Sequence, residues 1–158
     1  MNRPALVLSL LLAAAPAAVS AQATDVRVTI GPELAQKARD LGQRDLDRLA
    51  RDLEVDIERA VARSGRGSGG TLELVLTDAR PSRPTFQQMA RRPGLSMESV
   101  SNGGAAFEGV EIAPDGSRRQ VSFRWYETDI RWAQSRTTWT DAHRAFQMFA
   151  RRYADGRL

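Results

Sequence analysis

The chain is 158 residues long and carries 23 Lys and Arg against 19 Asp and Glu, one histidine and no cysteine. The lack of cysteine excludes disulfides, thiolate metal sites, a cysteine nucleophile and lipid attachment behind a leader. A single histidine supplies too few ligands for zinc, so neither a metal nor a cofactor is expected. Acids and bases are interleaved, so the basic balance does not point to nucleic acid.

Residues 1–21 read as a secretory leader. Arg3 gives the positive start, Ala5 to Ala15 is apolar, and Val19-Ser20-Ala21 places small residues where signal peptidase needs them. Ala21-Gln22-Ala23 is a second acceptable site. The apolar run is short for a membrane span, which needs ~20 residues. The expected product is a single α+β domain, residues 22–158, periplasmic or secreted from a bacterium, with no transmembrane segment in the mature chain.

Asp25 to Ile30 alternates apolar and polar residues and predicts a strand. Gly31-Pro32 ends it and opens a long helix over Glu33 to Arg63. Leu46, Leu49, Ala50, Leu53, Ile57, Ala60 and Val61 form its apolar stripe. Gly42 marks a kink or a break, at a cost of about 1 kcal/mol against alanine. Ser64 to Gly70 reads as a linker, because no Lys-Ser/Thr follows its glycines as a phosphate loop requires. Thr71 to Thr77 is a second strand, with Leu72, Leu74 and Leu76 on one face. Strand, helix and strand in that order fit a crossover with the strands parallel.

Asp78 to Gly104 has no strong periodicity. Thr85-Phe86-Gln87-Gln88 within it has capping-box spacing and predicts a short helix through Arg91, stopped by Pro93. Long loops in compact domains tend to be functional, which makes this loop the first place to look for a site. Ala105 to Ile130 is the clearest hairpin, turning at Asp115-Gly116, with Val121, Phe123 and Trp125 on one face. Thr138 or Thr140 caps a last helix, Asp141 to Ala154, whose stripe is Ala142, Ala145, Phe146, Phe149 and Tyr153. The predicted architecture is a two-layer α+β sandwich in β-α-β-β-β-α order. A mixed four-stranded sheet packs on one long and one shorter helix. Trp125, Phe123, Phe146 and Phe149 are its expected aromatic core, so Trp125→Ala is expected to cost roughly 3–5 kcal/mol.

Thr77 to Thr85, Pro93 to Ser96, Gly103 to Ala105 and Trp125 to Arg131 together resemble small exported bacterial proteins of unknown function. The order of elements is also loosely similar to envelope lipoproteins that carry domains of unknown function. The resemblance implies an envelope location and an α+β fold, and it brings no catalytic residues. The lipoproteins' anchoring cysteine is missing, so a membrane tether is not implied.

Three groups of residues bear on function. Arg80, Arg83, Arg91 and Arg92, with Phe86 and Met89, suit an anionic or peptide partner. Glu127, Asp129 and Arg131 alternate after the aromatic strand. They read as an ion-paired strand end bridging to Arg80 or Arg83, or as a carboxylate pair with a substrate-holding arginine. His143 reads as an exposed helix residue or as a general base oriented by Asp129. No serine-nucleophile motif is present. The residues favour a non-catalytic binding or accessory module for an envelope protein, a peptide or an anionic envelope component. Its expected binding residues are Arg80, Arg83, Phe86, Arg91, Glu127, Asp129 and Arg131. The alternative is a periplasmic hydrolase using Glu127, Asp129 and His143.

Overall fold

The computed structural model describes residues 24–158 except 66 and 68. The leader expected at residues 1–21 lies outside the described residues. Four strands form one sheet in the order β1-β2-β3-β4: β1 Asp25–Ile30, β2 Thr71–Arg80, β3 Gly104–Ile112 and β4 Arg118–Tyr126. β1 and β2 are parallel, as the crossover reading expects, and the other pairings are antiparallel. Strands pack against helices as an α+β fold.

The stretch expected as one helix is three: α1 Pro32–Gln36, α2 Ala38–Leu41 and α3 Gln43–Ser64. The second break falls at Gly42, whose φ of 97° lies outside helical space and suits only glycine without strain. The bend turns α2 toward the loop after β2. There it packs against α4, Phe86–Arg91. The apolar stripe of α3 is buried along its whole length, and Gly65 ends the helix with φ 65°.

α3 and α5, Thr140–Ala154, pack together on one face of the sheet. β2 sends Leu72, Leu74 and Leu76 to that face, and all three are fully buried. The centre of the aromatic core is Phe107 on β3. Its ring meets Phe149 edge-on at 4.8 Å and stacks on Phe123 at 5.6 Å. Phe146 and Phe149 are buried as expected. Phe123 and Trp125 are half-buried at the rim, because β4 is the outer strand and its side chains reach only the border of the helix layer. The cost expected for Trp125→Ala therefore belongs to Phe107.

β2 runs three residues past its predicted end, through a register shift between Leu76 and Asp78. The last helix starts at Thr140, with no side-chain bond from its N-cap, Trp139. Thr140 Oγ1 instead accepts a bond from the Thr137 amide at 2.8 Å.

Candidate functional site

The long loop between β2 and β3 is anchored at both ends on one buried carboxylate. Asp141, in the first turn of α5, is fully buried. Its Oδ2 accepts from Ser82 Oγ at 2.8 Å, the Gly103 amide at 3.1 Å and Arg136 Nη1 at 2.9 Å. Arg136 is itself buried, and its Nη2 donates to Glu127 Oε2 at 2.7 Å. Arg83 Nε then donates to the Arg136 carbonyl at 2.6 Å and its Nη1 to the Met97 carbonyl. The start of the loop, its end, the segment leaving β4 and the start of α5 therefore meet at one ionic cluster. Gly103 has no room for a side chain, since a Cβ there would lie 2.6 Å from Ser82 Oγ. Such a buried pair makes breaking it costly, because a lone partner is left charged and dry.

On this anchored base the loop presents an exposed tip. The predicted capping box is present: Thr85 Oγ1 accepts from the Gln88 amide, and Gln88 Oε1 accepts from the Thr85 amide. Thr85 Oγ1 also donates to the Asp40 carbonyl of α2, and Arg92 Nη2 donates to the Asp40 carboxylate at 2.7 Å. So braced, α4 holds Phe86 81 % exposed. Arg91 is exposed and forms no ion pair among the described residues. Behind α4 a cleft of about 320 Å³ has Pro81, Pro84, Leu95 and Val100 among its walls and Arg80 and Arg92 beside them.

Arg80 is fixed by a second cluster. Its Nε donates to Asp78 Oδ2 at 2.9 Å and its guanidinium lies 4.2 Å over the Tyr126 ring. Lys37 Nζ and Tyr126 Oη also donate to Asp78, each at 2.7 Å. Burial pushes the Asp78 carboxyl up, but the bonds from Lys37, Tyr126 and Arg80 outweigh it and hold the group below its ordinary value. The Tyr126 hydroxyl is pushed up to about 12, by burial first and then by its bond to Asp78.

Glu127, Asp129 and Arg131 do not share a strand face. β4 ends at Tyr126 and the chain turns into a 3-10 helix, Ile130–Ser135. Glu127 Oε1 makes that turn by accepting from the Thr128 and Asp129 amides, while its other oxygen takes Arg136 rather than Arg80 or Arg83. The Asp129 amide foremost, with the Thr128 amide and Arg136 against the cost of burial, keeps the Glu127 carboxyl below the usual range. Asp129 pairs with the exposed Arg131 at 2.7 Å. His143 Nε2 instead lies 3.7 Å from Asp52 Oδ2 on α3, and among the described residues no bond joins it to Glu127 or Asp129.

Of the seven residues expected to bind, Phe86, Arg91, Arg80 and Arg131 are at the surface, and Asp129 is half-buried in the turn, paired with Arg131. Arg83 and Glu127 act inside the framework that holds the loop. The sequence reading missed Ser82, Arg136 and Asp141. Their pattern gives no local cue, since Ser82 and Asp141 lie 59 residues apart. Among the described residues no group of His, Cys, Asp and Glu could hold a metal ion, and no helix is long and apolar enough to cross a membrane. Comparison with protein-family models, curated proteins and solved structures returned no match.

Proposed function

We propose that this is an exported, non-catalytic binding module of the bacterial envelope, with the α4 tip as the surface that meets its partner. The observation that carries this reading is Phe86. A large aromatic side chain is held in solvent by a helix braced at its cap, at Asp40 and, through the loop, at Asp141. Aromatic residues pre-positioned on a rigid support are the usual anchors of protein contacts, because little entropy is lost on docking. Arg91, exposed and without an ion pair among the described residues, adds preference for a partner with carboxylates. Export is supported by the leader-like residues 1–21.

A photo-crosslinking residue at position 86 tests this in an envelope extract of the source organism. The expected result is a discrete adduct, competed by unlabelled protein and weakened by Arg91→Glu. An equal yield from the exposed position of Glu58 on α3 would contradict the reading.

A further inference from the structure

The sheet has two outer strands, and a helix side chain reaches the edge of one of them. On β1 the Val28 amide donates to Glu54 Oε1 of α3 at 2.8 Å, so a helix side chain occupies that edge. β4 pairs with β3 alone among the described residues. Its hydrogen-bond phase follows from the two ends of the hairpin. Ala113 donates to the Ser117 carbonyl and Glu127 to the Gly103 carbonyl, each at 2.9 Å. Bonded pairs alternate in an antiparallel ladder, so the odd-numbered residues of β4 face β3. The amides and carbonyls of Arg118, Gln120, Ser122, Arg124 and Tyr126 therefore point away from the sheet. No bond to those groups of Gln120, Ser122 or Arg124 exists among the described residues.

The side chains beside this edge are cationic on both faces. On the open face Arg118 and Arg124 form no ion pair among the described residues. On the helix face Arg152 lies 5.5 Å over the Phe123 ring and Arg144 lies 5.2 Å over the Trp125 ring, both rings half-buried. The nearby carboxylates are engaged or set back. Glu111 pairs with Arg119, Glu127 with Arg136 and Arg144, and Glu108 sits one strand inward, opposite Ser122.

We propose that the β4 edge binds an extended acidic peptide as a fifth strand, antiparallel or parallel to β4. Alternate side chains of an added strand point to opposite faces. Carboxylates on one side meet Arg118 and Arg124, and apolar side chains on the other cover Phe123 and Trp125. The main chain takes up the free amides and carbonyls, which is how strand addition gains affinity, while the arginines choose the sequence. This surface is separate from the α4 tip, so either can fail without the other.

The test uses a labelled peptide of about ten residues alternating Glu and Val, read by fluorescence anisotropy against residues 22–158. Its Lys/Val counterpart and inorganic polyphosphate serve as controls. The acidic peptide is expected to bind and the basic one not. Arg118→Glu with Arg124→Glu is expected to weaken binding about tenfold or more. Ser122→Pro, which removes an outward amide without touching the ladder to β3, is expected to weaken it comparably. Amide exchange at Gln120, Ser122 and Arg124 should slow on binding. Three results would overturn the proposal: no preference for the acidic peptide, full binding by Ser122→Pro with exchange at β4 unchanged, or displacement of the peptide by polyphosphate equally from the wild type and from Ser122→Pro. Self-association of the Arg118→Glu, Arg124→Glu protein without peptide binding by the wild type would also overturn it. The arginines would then only guard the edge.

Discussion

β1 and β4 are both outer strands of one four-stranded sheet. α3 lies against β1 and lends it Glu54, while β4 shows outward backbone groups flanked by Arg118 and Arg124. The difference traces to connectivity. β1 leads within two residues into α1 and then to α3, which returns the chain parallel through β2, so the helix layer is laid down over β1. β4 instead leaves the sheet at Tyr126, and just beyond its end Glu127 ties the chain to the buried Arg136. An edge that the fold closes contributes to stability. One that it leaves open has to be guarded or used.

Several measurements bear on this contrast, and the largest effects are expected where the β4 side is tied down. Arg136→Ala or Asp141→Ala leaves an uncompensated buried charge and should cost about 3–5 kcal/mol in denaturant unfolding. Phe107→Ala should cost a similar ~3–5 kcal/mol, and Trp125→Ala clearly less, because only the former is interior. Equal costs for the two aromatics would mean that β4 is covered. Removing the cap from the other edge, Glu54→Ala, should cost about 1–3 kcal/mol through the orphaned Val28 amide, with faster exchange of that amide.

The pH dependence separates a third site from both edges. The Asp78 carboxyl is held below its ordinary value of 3.8, so its contribution is present above that pH and is lost as pH falls through the lower folded value. Tyr126 is raised from 10.0 to about 12, so its contribution is present below pH 10 and is lost as pH climbs toward 12. Asp78→Asn should lower mid-range stability and flatten the acid limb, and Tyr126→Phe should do the same with the alkaline limb, each variant converging on the wild type where its group has already lost its contribution. The smallest effect is expected from Arg131→Ala. That side chain is 86 % exposed, so the melting temperature should not move measurably.

Elements with local signals were legible in the sequence. The α3 stripe, the capping box of α4 and the Asp115-Gly116 hairpin depend on residues within a few positions, and each stands where it was read. The break at Gly42 was legible too, but its role was not. What it positions, the Asp40 carbonyl against Thr85, lies 45 residues away. Glu127, Asp129 and Arg131 do form an ion-paired end to the strand, with Arg136 as the partner, but the shared face was misread because alternation looks the same in a strand and just beyond one. The Glu127 carboxylate bonds to the next two amides and turns the chain. Phe86, singled out as a binding residue, stands exposed on α4. Arg83, in the same loop, proved to be a brace whose acceptors, Met97 and Arg136, are distant carbonyls that no side-chain pattern reveals.

The most direct test of the contrast between the edges is residue-resolved amide hydrogen exchange on the free protein. The Val28 amide should be among the protected positions, while Gln120, Ser122 and Arg124 exchange fast beside slow neighbours Val121 and Phe123. A uniform protection along β4, or a Val28 amide as fast as Ser122, would contradict the account.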